Sequence, residues 1–131
     1  MNTTELNDDT PSEKSPTWRI DDAAHSIEAA WELIDVAGAL TPAEIYALIG
    51  SLRLVHHQTG QLLQQLTSRT EALADRDDLV ATDGGNAADM VRRCEAHLRT
   101  ATANNESADT YLRLAHSAVS WVNVTPEASN E

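Results

Sequence analysis

The sequence has no phenylalanine, one cysteine, five glycines and four prolines, and aromatic residues make up only 4% of its 131 positions. Each shortage removes a class of protein. With Cys94 alone there is no intramolecular disulfide and no cysteine-based zinc cluster. Gly84-Gly85 is the single glycine pair, and nothing around it forms a phosphate-binding loop or a dinucleotide fingerprint. Apolar runs are short: no charge-free stretch approaches the ~20 residues needed to cross a bilayer. The first residues, Met1 to Asp9, lack the basic start and apolar run of a secretory signal, which predicts a cytoplasmic protein.

Positive charge is also scarce. Lys14 is the only lysine, and the nine basic residues face 21 acids, for a formal charge of −12 with neutral histidines. A protein that grips phosphates needs a basic stripe that releases counterions, so neither nucleic acid nor an anionic membrane is expected as a direct partner. What is present is aliphatic. Hydrophobic residues make up 41% of the chain, and without phenylalanine the core must be built from Leu, Ile, Val and Ala.

Residues 1–16 are polar and acidic, and residues 125–131 are similar. Neither stretch has enough apolar side chains to offset the entropy of ordering, so a disordered arm and tail are expected around a helical bundle spanning residues 17–124. Inside it, apolar residues recur with helical spacing in three segments, and none shows the alternation of a half-buried strand.

The first segment, Trp18 to Ala39, carries an inward stripe of Ile20, Ala24, Ile27, Trp31 and Ile34, with Trp31 read as core. Glu28, Glu32 and Asp35 form an acidic edge, and Leu33, Val36 and Leu40 make a second apolar patch at the back of its last turns. The second segment opens on Thr41-Pro42-Ala43-Glu44, an N-cap hydroxyl with a proline at the first helical position and a glutamate three residues past the cap. Ile45, Leu48, Leu52, Val55, Thr59, Leu62, Leu66 and Leu73 then follow steps of three and four, predicting a supercoiled seam. Arg53, His57, several glutamines, Gly50 and Gly60 are assigned to the outer face. After an acidic break at 75–85, Asn86 caps a third segment that continues to about Val124. Its seam is Ala87, Val91, Cys94, Leu98, Ala101, Asn105, Ala108, Leu112, Ala115, Val119 and Val122.

Short connections make these segments an all-α, three-helix, up-down-up bundle built on a long antiparallel coiled-coil-like hairpin. Helices two and three would each be ~50 Å long and the first ~33 Å, so the first covers only the end near Ile45. Leu62, Leu66 and Leu73 with Val91 and Leu98 are then left half exposed at the far end. That predicts a homodimer, or docking of another protein, through this end, and Trp121 is a further candidate anchor.

The stretch from Leu40 to Val122 resembles small helical proteins encoded by actinobacterial chromosomes and mobile elements near regulatory genes. The likeness rests on Leu40-Thr41-Pro42-Ala43-Glu44 opening a Leu- and Gln-rich helix, on Asp83-Gly84-Gly85-Asn86-Ala87-Ala88 opening an Ala- and Arg-rich one, and on the closing Leu114-Ala115-His116-Ser117-Ala118-Val119. It implies an all-helical fold in a bacterial cytoplasm. It carries no activity and no functional residues.

No residue pattern points to catalysis, a cofactor or a metal. His56 and His116 lie roughly 16 Å apart along the axis, and Cys94 with His97 offers two ligands where zinc needs four. Glu28, Glu32 and Asp35 lack the second acidic pair that a magnesium-dependent helical enzyme requires. His56, Thr59 and Asn105 read instead as a polar layer that sets register, with Asn105 opposite His56. The expected function is therefore a non-catalytic interaction or assembly module, and the resemblance implies an accessory or regulatory protein of a bacterial mobile element. Two alternatives follow from the same residues: an acidic DNA mimic that inhibits a nucleic-acid-binding protein, and a metal-dependent bundle enzyme.

Overall fold

A computed structural model describes residues 15–124. The protein is all-α: α1 runs Pro16–Ala37, α2 Pro42–Ala74 and α3 Ala87–Val119, with no strand among the described residues. No described helix is long and apolar enough to cross a membrane. The chain forms two compact units, residues 1–40 and 41–131. The arm and tail expected at the two ends fall, for residues 1–14 and 125–131, outside the described residues.

All three helix starts are written in local chemistry. Ser15 caps α1 by accepting from the Trp18 amide at 3.0 Å, with Pro16 at the first helical position. The helix therefore begins two residues before the expected Trp18, and Ser15-Pro16 repeats the signal of Thr41-Pro42. At α2 the capping box closes in both directions: the Glu44 amide donates to Thr41 Oγ1 and the Thr41 amide to Glu44 Oε1, each at 3.1 Å. Asn86 caps α3 by accepting from the Asp89 amide at 3.1 Å.

Helix ends differ more from expectation. Gly38, at φ +78°, stops α1. The last helix stops at Val119, five residues short of the expected Val124, with the Ser120, Trp121 and Val122 amides bonded back in turns. β-Branched Val122 and Val124 favour helix little at that point.

Among the described residues of the first unit α1 is the only helix. Ile20, Ile27, Ile34 and Trp31 are exposed, Trp31 at 58%, so within this unit Trp31 is not the core residue expected.

In the second unit α2 and α3 pack side by side and antiparallel, so that residues 53, 56 and 71 meet 109, 105 and 99. The connection is held by a two-pronged pair in which Arg76 Nε and Nη2 reach the Asp78 carboxylate at 2.8 and 2.6 Å. The Gly85 amide donates to Asp83 Oδ1 at 2.9 Å, beside Gly84 at φ +80°. Along α2 the half-buried and buried positions are 42, 49, 50, 53, 56, 60, 62, 63, 67, 70 and 74, of which all but 42 and 62 follow one row. Along α3 they include 91, 95, 98, 102, 105, 109, 112, 116 and 119. These two rows form the seam.

The seam corrects the expected one. The row Leu48, Leu52, Val55, Thr59, Leu62, Leu66, Leu73 lies one residue before the true seam at every step, which turns it about 100° around the helix axis. Cys94, Ala101, Ala108 and Ala115 of α3 are offset from their seam in the same way. Gly50, Gly60 and Arg53, assigned to the outer face, belong to the seam. The physical reason is side-chain size: at Gly50 and Gly60 the bare backbone leaves room for the His116 and Asn105 side chains from across the seam.

Candidate interaction surface

The α2/α3 seam carries several polar contacts between apolar positions such as Ile49, Leu63, Leu98 and Leu112. At its open end the His116 ring stacks on Tyr46, with centroids 3.9 Å apart and planes inclined 19°. A Cβ on Gly50 would lie 3.2 Å from His116 Nε2, so glycine gives this ring its room. Next, Arg53 Nε lies 3.7 Å from Asp109 Oδ1 and, although buried, has no hydrogen-bond partner.

The central layer is His56 with Asn105. Asn105 Nδ2 donates to the His56 carbonyl at 2.8 Å, and its Oδ1 lies 2.8 Å from His56 Nδ1. Because Oδ1 only accepts, Nδ1 is the protonated ring nitrogen. A Cβ on Gly60 would be 3.2 Å from Asn105 Nδ2. Thr59, expected in this layer, is outside it; it is exposed and its hydroxyl donates to the Val55 carbonyl at 2.8 Å. Gly60 takes its place, since the seam passes through the residue after Thr59.

Toward the connection the most buried side chains are small. Thr67 and Ala74 are 8% and 6% exposed, the two most buried described residues, and Thr67 donates to the Leu63 carbonyl at 2.7 Å. Beside them Arg99 Nη2 reaches Glu95 at 2.6 Å and Glu71 at 3.6 Å. The Glu95 partner holds the Arg99 guanidinium above its ordinary pKa.

The two flanks of this seam differ in chemistry. In an antiparallel pair, residues one step after the seam in both helices share one side, and residues one step before it share the other. On the first side, polar residues line two shallow grooves of about 340 and 410 Å³: Gln61, Gln64, Ser68 and Glu71 from α2, and Arg99, Glu106 and Thr110 from α3. On the other side stand the leucines. Ile45, Leu48, Leu52, Val55, Leu66 and Leu73 are each 36–46% exposed, and no large side chain of the described residues is fully buried. The α3 residues beside them are the small Cys94, Ala101, Ala108 and Ala115 together with His97, Asn104 and Tyr111, the last 73% exposed.

The residues singled out in the sequence divide accordingly. Leu66 and Leu73 lie on the exposed row, and Leu62, half-buried, continues it. Val91 and Leu98 share the heptad row of Asn105 and are half-buried in the seam, so they do not join the leucines on one face. Trp121, 85% exposed, stands just beyond α3. Leu33 and Val36 are exposed on α1 and Leu40 is half-buried. Glu28, Glu32 and Asp35 are also exposed.

Sequence reasoning missed the upper half of the exposed row, because Leu48, Leu52 and Val55 were taken to point inward. The signal was available: if Asn105 faces His56, the seam runs through His56, and Val55 beside it must turn away.

No group of three His, Cys, Asp or Glu side chains among the described residues is placed to hold a metal ion. No family model, curated protein or solved structure matches the chain.

Proposed function

We propose that this protein is a non-catalytic protein–protein interaction or assembly module, and that its docking surface is the apolar row of α2 running Ile45, Leu48, Leu52, Val55, Leu62, Leu66 and Leu73. One observation carries the reading. The seam of the hairpin gives many of its places to glycine, threonine, histidine, arginine and asparagine, beside Ile49, Leu63, Leu98 and Leu112, while Ile45, Leu48, Leu52, Val55, Leu66 and Leu73 stay more than a third exposed along α2. Burying a leucine fully is worth ~1.5–3 kcal/mol, so a row of them in water is a standing driving force for association. A surface of this chemistry takes an apolar helical face. Neither the protein's −12 charge nor its acids select the partner, because the row contains no carboxylate. The setting inferred for this activity is the bacterial cytoplasm, as an accessory protein of a mobile element, on the resemblance given above.

Site-specific photo-crosslinking in the living host tests the surface. A crosslinking residue at Leu66 is expected to trap a protein adduct, whereas one at Gln61, on the polar side of the same helix, traps none. Adducts at Gln61 and not at Leu66 would overturn the assignment.

A further inference from the structure

The exposed row of α2 has a symmetry of its own. Counted outward from Thr59, Leu52 and Leu66 lie seven residues away on either side and Ile45 and Leu73 fourteen, with Val55 and Leu62 at four and three, so the row run backwards again presents apolar side chains at these levels. The exception is Leu48, which falls opposite Arg69 and Thr70. The flank of α3 on the same side behaves alike. Around Asn104, His97 and Tyr111 lie seven residues away on either side, and Ala101 and Ala108 three and four. The two centres also stand at one level of the hairpin, since the next residues, Gly60 and Asn105, are in contact across the seam.

We infer that the occupant of this surface is a second copy of the chain, related by a two-fold axis that crosses the hairpin at Thr59 and Asn104. Each α2 then lies antiparallel to its counterpart, leucine row on leucine row. Each α3 lies antiparallel to its own counterpart through Ala101 and Ala108, with Asn104 at the axis and His97 beside Tyr111 of the other copy. This rests on the proposed docking surface and names what fills it.

Three features of the face fit a self-pairing. First, neither row contains an acid; Arg69 is the one charged position among those of α2, and the α3 flank from Cys94 to Ala115 has none. Two copies of a chain with charge −12 can therefore meet here without carboxylates opposing one another. Second, Thr59 sits on the axis with its hydroxyl already bonded to the Val55 carbonyl at 2.8 Å. It therefore brings no unsatisfied donor into the interface. Third, a two-fold contact requires a self-complementary surface, and the matched pairs supply one.

The test uses the full chain. By light scattering the purified protein is expected to have twice the 14.2 kDa chain mass. Leu52→Lys and Leu66→Lys each return it to one chain mass, with helicity checked by circular dichroism, and Gln61→Lys leaves the dimer intact. Geometry is read by disulfide trapping in a Cys94→Ser background, which does not depend on the lysine variants folding. Thr59→Cys crosslinks to itself on mild oxidation. Leu73→Cys does not, because its copies are ~40 Å apart along the axis, but it crosslinks to Ile45→Cys when the two are mixed.

A wild-type protein that stays at one chain mass at several hundred micromolar overturns the inference. So does Leu73→Cys crosslinking to itself as readily as Thr59→Cys, which is the signature of a parallel pair. A monomer that still yields a Leu66 photo-adduct with another protein in the host removes the two-fold pairing and leaves the docking surface standing.

Discussion

Asn105 uses both ends of its amide on one residue, donating to the His56 carbonyl and accepting from His56 Nδ1, each at 2.8 Å, across 49 positions of sequence. A one-turn slip of α3 along α2 would move this amide by ~5.4 Å and strand it. The pair therefore fixes the height at which the two helices meet.

Asn105→Ala is expected to destabilise the hairpin by about 1–3 kcal/mol, because it leaves His56 Nδ1 part-buried without its acceptor. Thermal unfolding followed by circular dichroism reads this as a drop of roughly 4–8 °C per kcal/mol. His56→Ala should cost a similar amount. The double variant should cost less than the two added together, since the residues share one interaction.

Gly60 and Asn105 should show a change of sign. Alanine at a helix interior gains ~0.8–1.0 kcal/mol over glycine, but at position 60 its Cβ would press on Asn105 Nδ2 at 3.2 Å. In the wild-type background the bonded amide resists displacement and Gly60→Ala is destabilising. In an Asn105→Ala background the obstruction is gone and Gly60→Ala stabilises by about 1 kcal/mol. The four chemical-denaturation midpoints of this cycle check it.

Replacing Arg53 should cost little. Its Nε is 3.7 Å from Asp109 and is buried without a hydrogen bond, while both side chains are about one third exposed, 32% and 39%. Such a pair contributes at most ~1 kcal/mol, and desolvating Nε offsets part of it. Arg53→Met is therefore expected to leave stability unchanged or raise it slightly, measured by urea unfolding. A loss above 2 kcal/mol would show that the ion pair is worth far more than its geometry indicates.

The pH response of α1 has a definite direction. His25 has its pKa raised, first by the bond of Nδ1 to the Asp21 carbonyl at 2.8 Å and then by the Asp21 charge. A raised folded-state pKa means that the interaction supports the helix fully below the ordinary histidine value of 6.5 and is lost as pH rises through the higher folded value. An NMR titration should place the His25 midpoint above 6.5, and Asp21→Asn should lower it while leaving part of the shift, because the backbone bond remains.

Much of this fold is legible in single residues. Ser15-Pro16, Thr41-Pro42 with Glu44, and Asn86 with Asp89 each start a helix through contacts spanning three positions. The order of helices follows from them, as does the antiparallel return through Asp75–Gly85. Even the meeting of His56 with Asn105 follows from counting outward from the turn, because two rods joined by a tight connection have only one register.

Which side of α2 faces α3 is a different kind of question. Hydrophobic periodicity marks the leucine row and assigns it to the inside, on the premise that the most apolar face is the one a neighbour covers. Tertiary structure decided otherwise, and the reasons lie in residues the periodicity ignores. Gly50 and Gly60 leave space for His116 and Asn105, and Thr67 and Ala74 are small enough to be buried between helix backbones. A seam is chosen by the pairwise fit of two surfaces, and one strand of sequence contains only half of that fit. By itself the sequence determined three helices, their caps and an aliphatic face free of acids. Packing decided that this face looks outward.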